Sequence, residues 1–548
     1  MQQGSNVFET TLTSELVRDR SESGVWKDRI LGEVLRSTAA SRPGDLAVVD
    51  VRGRVTYGEL AASVDDVAVG LLELGVRHGD VVAVQMPNWS EFIVAAFALE
   101  RIGAVINPIA PIFRQHELRT MFRLAQPKVA IVPAVFRGFD YASMLAALVP
   151  ETPSLRSVVV VDGIEGQGDI SWAGLVALGR ASEIDRRSLD LLTPDPNDVY
   201  EIIFTSGTTG EPKGVMHTHN TLWSANQAMI DTQAFTSSDV FHMASTFAHQ
   251  TGLLFGVRLF IQTGGAGVFQ DIWDAAAFAD LIEQERITSS AGAAPFLADV
   301  LRVEGLDDRD LSSWRVFGCF GAPIPLPLLE EAAHRLPCRV MPGWGMSEVG
   351  LVTSTSPSDP DDSVMTTDGK PLPQMAVRVV DDDGNEADPG VEGDLLCKGC
   401  GEFVGYVQGR AFTEACYAAD GWFSTGDRAR MSPDGFIRIT GRTKDLVIRG
   451  GENVPVKEIE DLLARHPKVR SAAVVAAPHD RLGEVGCAFV VPEGDDPPTL
   501  GELSDYFETA GVTRQFWPER LHVLDEMPLT PSGKIQKFKL REAAQADS

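Results

Sequence analysis

Apolar residues along the chain come in two rhythms. Val81–Val84, Ala104–Asn107, Val129–Val132, Val158–Val161 and Val199–Phe204 are short apolar runs bounded by polar or turn-forming residues. Runs of this length and composition predict buried strands. Glu91–Ile102 is a longer apolar segment and predicts a helix, and Thr218-His219-Asn220 supplies cap-type residues where another helix should begin. Further on, Leu326–Arg335 reads as helix and Arg339–Met341 as strand. Strands alternating with helices imply βαβ units and a largely parallel sheet, hence a multidomain α/β protein.

The pattern changes at Gly369-Lys370-Pro371. Turn signals at Asp383-Gly384 and Asp388-Pro389, with Gly390 to Leu395 after them, mark a β-rich region, read as a small barrel-like subdomain. Beyond it, Gly450 to Val454, Glu458-Ile459-Glu460 and Val469–Val475 suggest loop, helix and strand. Two stretches carry little pattern. Residues 1–25 are polar and read as an irregular arm, and residues 162–198 read as loop.

Length and charge narrow the possibilities. The chain has 548 residues, too many for one core. Its net charge of −29 argues against nonspecific binding to nucleic acid or an anionic membrane. The longest apolar run considered, Phe92–Leu99, is too short to be a transmembrane segment. Six cysteines are scattered, and Cys397-Lys398-Gly399-Cys400 has no second pair nearby. We read these two as buried small residues in a reducing cytoplasmic protein rather than as a zinc or redox site.

The candidate chemistry centres on Thr205-Ser206-Gly207-Thr208-Thr209-Gly210-Glu211-Pro212-Lys213-Gly214, which follows a predicted strand. Glycines allow close backbone approach to a ligand. Free N–H groups, hydroxyls and a cation suit a polyphosphate. No Gly-Lys-Ser/Thr closes the loop, so it is not of the Walker type.

This loop resembles the phosphate-binding signature of the adenylate-forming (AMP-binding) superfamily, which includes acyl-CoA synthetases such as the cyclohexanecarboxylate-type ligases, aryl-acid ligases, peptide-synthetase adenylation domains and luciferases. Other motifs follow in the order that the resemblance requires, from Val55-Thr56-Tyr57-Gly58-Glu59-Leu60 to Lys534-Ile535. Among them are Phe317-Gly318-Cys319-Phe320-Gly321-Ala322-Pro323, Gly343-Trp344-Gly345-Met346-Ser347-Glu348, Ser424-Thr425-Gly426-Asp427, Gly441-Arg442-Thr443-Lys444-Asp445 and Pro531-Ser532-Gly533-Lys534. Where relatives have Tyr and Thr before the glutamate, this chain has Trp344 and Ser347.

The resemblance implies a site residue by residue. Thr205, Ser206, Gly207, Thr208, Thr209 and Gly210 would cradle phosphate, with Lys213 in support and Thr208 taking part in catalysis. Gly321, Ala322 and Pro323 would lie along adenine, with Trp344, Gly345, Met346 and Ser347 completing the nucleotide pocket. Glu348 would hold Mg²⁺. Asp427 and Arg442 would bind ribose, and His249 would mark where the carboxylate enters. Lys534 would be the catalytic lysine, Lys444 the hinge, and Gly450 and Gly451 part of the loop beyond it. Peptide-synthetase domains usually carry Phe-Asp where this chain has Phe247-Ala248, so an α-amino acid would lack its counter-charge.

The implied architecture is a large N-terminal domain, residues 1–443, of two βαβ-type subdomains and a β-rich one, then a small mobile α+β domain, residues 444–548. The implied reaction joins a carboxylic acid to the thiol of coenzyme A through an acyl-adenylate, using ATP and Mg²⁺. Phe247, Ala248 and Phe320 suggest a neutral alicyclic, aromatic or medium-chain acid. His249-Gln250 leaves an aryl-acid AMP ligase loading a carrier-protein thiol as the alternative, and a homodimer is compatible with either.

Overall fold

The computed structural model describes residues 8–546 except 165, 167, 206–211, 322, 323, 382, 443–446, 450, 451, 455, 480, 481, 511, 513, 531 and 532. Four sheets of four or more strands organise it. In a seven-stranded sheet the predicted strands appear as Val81–Val84, Val105–Pro108, Val129–Pro133, Ser157–Val161 and Val199–Thr205, all parallel to one another. Lys213–Thr218 pairs antiparallel at its edge. Every residue of helix Ser90–Arg101 except Glu91 is buried, Glu100 and Arg101 being paired with Arg258 and Asp65.

The nine-stranded sheet is mixed. Its centre is parallel, and strands Arg339–Met346 and Gly350–Ser354 form an antiparallel hairpin towards one edge. Strands Leu46–Asp50 and Gly53–Thr56 form the other edge, Leu46–Asp50 running parallel to Ala266–Val268. The start of the chain is therefore built into the sheet made mostly by residues 240–371, which no local pattern announces. One apolar core runs through both large sheets, from Leu31 to Ile437.

Three expectations are corrected. The N-terminal arm contains a helix, Ser14–Glu22, capped by the Thr13 side chain. The arm is anchored by the Trp26 indole N–H, which donates to the Cys400 carbonyl at 3.0 Å. Residues 162–198 contain helix Trp172–Ala181, whose start is capped by Ser171 and whose Leu175 is fully buried. The β-rich region is a four-stranded antiparallel meander of Met375–Val380, Glu392–Gly399, Phe423–Met431 and Ile437–Arg442 rather than a barrel. Cys397, within its second strand, and Cys400, just after that strand, are buried, and burial pushes the Cys400 thiol up to about 11.

The small C-terminal domain has a five-stranded sheet and its own core around Val474, Ala488 and Phe507. The meander ends at Arg442 and this sheet begins at Val447. The expected boundary and hinge, Lys444, lie outside the described residues. Arg430 and Arg438 of the meander reach Glu458 and Asp461 of helix Val456–Leu463, at 3.4 and 3.7 Å.

Candidate active site

Thr205 and Lys213 are paired across the antiparallel strands Val199–Thr205 and Lys213–Thr218. The predicted phosphate loop is therefore the connection of a hairpin. Ser206, Gly207, Thr208, Thr209 and Gly210 lie outside the described residues. The Lys213 ammonium sits 3.6 Å from the Phe412 ring centroid and 5.7 Å from that of Tyr406.

Glu348 follows the hairpin strand Arg339–Met346 and is buried, 7% exposed. The Tyr406 hydroxyl donates to its Oε1 at 2.7 Å. Segment 403–407 is laced to strand Lys213–Thr218 by backbone hydrogen bonds, including Val407 N–H to the Gly214 carbonyl and Met216 N–H to the Gly405 carbonyl. That lacing places Tyr406 between Lys213 and Glu348. Burial and the Glu348 charge both push its phenol far up, so it donates a proton and does not ionise.

A second tie fixes the same turn. His217, buried in strand Lys213–Thr218, has Nε2 2.7 Å from the Ser347 carbonyl oxygen. Burial pushes its imidazole down to about 4, so the ring is neutral and Nε2–H donates. Neither Tyr406 nor His217 was found by sequence reasoning. Met-His-Thr directly after Lys213-Gly214-Val215 was the available signal for His217; Tyr406 had none.

Trp344 and Asp427 meet although far apart in sequence. The Trp344 indole N–H donates to Asp427 Oδ2 at 2.8 Å. One carboxylate oxygen of Asp427 thus holds the indole, an orientation the sequence reading had not assigned to it. Asp427 and Arg442 are cross-strand partners in the meander. Gly345 and Met346 lie in the hairpin opposite Leu351 and Gly350.

The small domain delivers Lys534. Its Cε lies 3.1 Å from where a Cβ on Gly321 would stand, and Gly321 has φ +86°. A side chain at 321 would be strained by the backbone and would press on the lysine. The loop is closed by the Thr530 N–H to the Lys534 carbonyl, 2.6 Å, and by the Lys534 N–H to the Thr530 hydroxyl, 3.0 Å. Ala322 and Pro323 lie outside the described residues, as do Gly450 and Gly451. Burial and, after it, the Lys534 charge push the His249 imidazole down to about 3.

The acyl side differs from expectation at Phe247. Its ring packs 5.6 Å from Phe92 and 4.8 Å from Phe269, fully buried in the core, and is not a pocket wall. Gln250 is also turned away, its amide N–H pointing at Glu201 Oε2 across 3.5 Å. From Gly252 to Arg258 the chain winds as a wide π-type helix, a form frequent at functional sites. Between that helix and the nine-stranded sheet lies a narrow apolar cavity bordered by Met229, Phe235, Phe241, Phe255, Leu259 and Gly318.

A large α/β domain and a small domain whose Lys534 lies beside Gly321 meet at this site. Comparison with known proteins gives the family. Residues 35–407 match the AMP-binding enzyme model, and residues 458–534 match the AMP-binding enzyme C-terminal domain. The chain belongs to the AMP-binding enzyme family and is an AMP-forming acid–thiol ligase. It is 35% identical over 525 residues to the medium-chain fatty-acid–CoA ligase of Escherichia coli K12, covering 95% of this chain and 91% of that one. It is 35% identical over 531 residues to the salicyl-AMP ligase / salicyl-S-ArCP synthetase of Mycobacterium tuberculosis, covering 94% and 91%. The crystal structure of ATP-bound MatB from Rhodopseudomonas palustris superposes with a TM-score of 0.83 at 28% identity, covering 93% of this chain and 98% of that one. The apo form of that protein gives 0.72, covering 94% of this chain and 99% of that one. No helix among the described residues is long and apolar enough to cross a membrane.

Proposed function

We propose that this chain is an ATP-dependent carboxylic acid–CoA ligase acting on a neutral acid with an unbranched apolar tail of medium length. The observation that carries the reading is the approach of Lys534 to Gly321, next to Phe320, whose ring packs against Gly318 and Phe255 at the border of an apolar cavity. The better match to ATP-bound than to apo MatB supports taking this arrangement as the adenylate-forming pose.

In the first half-reaction the acid's carboxylate attacks the α-phosphate of ATP and pyrophosphate leaves. Charge accumulates on phosphate oxygens, so fixed positive charge and donors lower the barrier. Lys534 supplies such a charge from the small domain. Thr205, Thr208 and the rest of the loop, with Lys213, form the phosphate cradle; Asp427 and Arg442 serve the ribose and Trp344 the adenine. His249, kept neutral by burial and by Lys534, lets a carboxylate approach without forming an ion pair that would hold it back.

Glu348 fits a hard cation. It is a buried carboxylate with one oxygen oriented by Tyr406, and hard ions of this kind take one or two protein carboxylates and complete their shell with phosphate and water. Mg²⁺ bound there would neutralise phosphate charge. In the second half-reaction the CoA thiol attacks the acyl carbon and AMP leaves. Lys534 must then withdraw, which rotation of the small domain about Lys444 would accomplish.

The second reading is an aryl-acid AMP ligase that loads a carrier protein, supported by the Mycobacterium relative. The Gln250 amide favours the first, because its N–H is directed at Glu201 Oε2 across 3.5 Å and is thereby engaged within the protein. The test is a panel of straight-chain, alicyclic and hydroxybenzoic acids, scored by pyrophosphate release and by thioester formation with and without CoA. Thioester formation with medium-chain acids supports the first reading. Adenylation confined to hydroxybenzoates, with no acyl-CoA product, overturns it.

A further inference from the structure

The turn that carries Tyr406 also carries a second ring, and that ring faces Lys213. After its lacing to strand Lys213–Thr218 the chain bends at Gly409 and continues as the short helix Arg410–Ala415. Thr413, 1% exposed, closes the bend. Its hydroxyl donates to the Gly409 carbonyl and accepts from the Tyr406 N–H, each at 2.9 Å. The Phe412 ring is thereby brought to 5.1 Å from that of Tyr406, centroid to centroid. Gly214 lets the turn come this close, because a Cβ there would stand 2.5 Å from the Val407 side chain.

Phe412 is 41% exposed. A single exposed ring is ordinary and needs no function. This one has the Lys213 ammonium 3.6 Å from its centroid, close contact for a cation on a ring face. The Tyr406 ring adds a longer contact to the same nitrogen, 5.7 Å. The two rings have different tasks. Tyr406 turns its hydroxyl to Glu348, whereas Phe412 has no polar atom and offers the ammonium a π face alone. That face suits a lysine meant for an anion. A long side chain visits many rotamers, and fixing it when a ligand arrives costs entropy. A carboxylate would fix it as well but would offset its charge. A ring fixes the ammonium and leaves the full positive charge for an incoming phosphate.

Resting on the ligase reading, in which Lys213 meets the phosphates of ATP, we propose that Phe412 is a positioning residue whose ring seats the Lys213 ammonium for the pyrophosphate end of the nucleotide. One turn then orients two charged groups of that end, the lysine through Phe412 and the Glu348 carboxylate through Tyr406. The seat acts on the phosphates that leave and has no part in holding AMP.

The experiment is calorimetric titration of the full chain with ATP, pyrophosphate and AMP, each with magnesium and without an acid. The proteins are wild type, Phe412→Leu, Phe412→Trp, Lys213→Ala and the double variant Phe412→Leu/Lys213→Ala. Phe412→Leu raises the Kd for ATP and for pyrophosphate by about 2- to 30-fold, the span of one cation–ring contact, and leaves the Kd for AMP in place. Phe412→Trp restores most of the loss, since indole is the strongest partner for a cation. With Lys213 already replaced, Phe412→Leu adds less than about twofold, because the ring has no ammonium left to hold. A merely structural ring would weaken AMP and ATP alike and would cost as much without the lysine; either result overturns the seat, as does an unchanged Kd for ATP and pyrophosphate in Phe412→Leu. If Phe412→Leu does not fold, Phe412→Met takes its place in both backgrounds. A wild type that binds neither ATP nor pyrophosphate refutes the ligase reading and the seat with it, whereas normal wild-type binding with unaltered variants refutes the seat alone.

Discussion

Glu201 gives a prediction whose size follows from the structure. It lies in strand Val199–Thr205, just before the phosphate loop, and is fully buried. Its side-chain partner is the Gln250 amide at a long 3.5 Å, and Oε1 has no hydrogen-bond partner. Burial therefore dominates and pushes its carboxyl from the ordinary 4.5 up to about 8, against a smaller opposing pull from Arg258. At neutral pH the folded protein holds this group protonated, while the unfolded chain has ionised it. Because the folded value is the raised one, the contribution of Glu201 to stability is full below about pH 4.5 and is lost as pH rises towards about 8. The gap corresponds to about 3 kcal/mol already lost at pH 7 and at most about 5 kcal/mol above pH 8. Glu201→Gln keeps the shape and the partner to Gln250 and removes the ionisation. The variant is expected to be more stable than wild type, by a margin that grows from pH 5 to pH 8 and then levels off. Urea unfolding followed by tryptophan fluorescence at pH 5, 6, 7, 8 and 9 measures the margin. A difference constant over that range, or one that shrinks with rising pH, refutes a neutral buried Glu201.

Other outcomes concern the reaction. Lys534→Ala should lower acyl-AMP formation at least about 100-fold while synthetic acyl-AMP plus CoA still gives thioester, since the lysine acts on the transferring phosphate alone; equal loss of both half-reactions would show a wider role. Tyr406→Phe should weaken adenylation about 10- to 100-fold, the worth of a hydrogen bond to a charged group, and Glu348→Gln should do so more severely; a magnesium titration of pyrophosphate release in which both behave as wild type would remove the pair from the site. Asp427→Ala should raise the Kd for ATP measured by calorimetry, while Trp344→Phe, which loses only the indole N–H, should raise it less; an unchanged Kd in Asp427→Ala would make the Asp427–Trp344 bond purely structural.

Local pattern determined much of this protein. Short apolar runs became the strands Val81–Val84 and Val129–Pro133, and the helix read at Leu326–Arg335 has those bounds. Both features depend on side-chain spacing over a few residues, which a sequence displays directly. Lys534, Glu348, Asp427 and His249 came forward as candidates through the family resemblance of the ordered motifs, not through local pattern. Helix Trp172–Ala181 was missed because two glycines interrupt its short apolar stripe and the acidic, glycine-containing residues before it read as loop.

Tertiary structure decided which of these groups meet. Tyr406 reaches Glu348 because segment 403–407 pairs with the strand after the phosphate loop. Trp344 reaches Asp427 because a hairpin of the nine-stranded sheet abuts the meander. Phe247, next to His249, points into the core, its ring against Phe92 and Phe269 and its N–H donating to Asn88 Oδ1. Glu201 looks like any strand glutamate until both faces of its sheet are covered. Long-range contacts, burial and the ionisation they impose arise only when distant segments close on each other, and spacing along the chain carries no record of that closure.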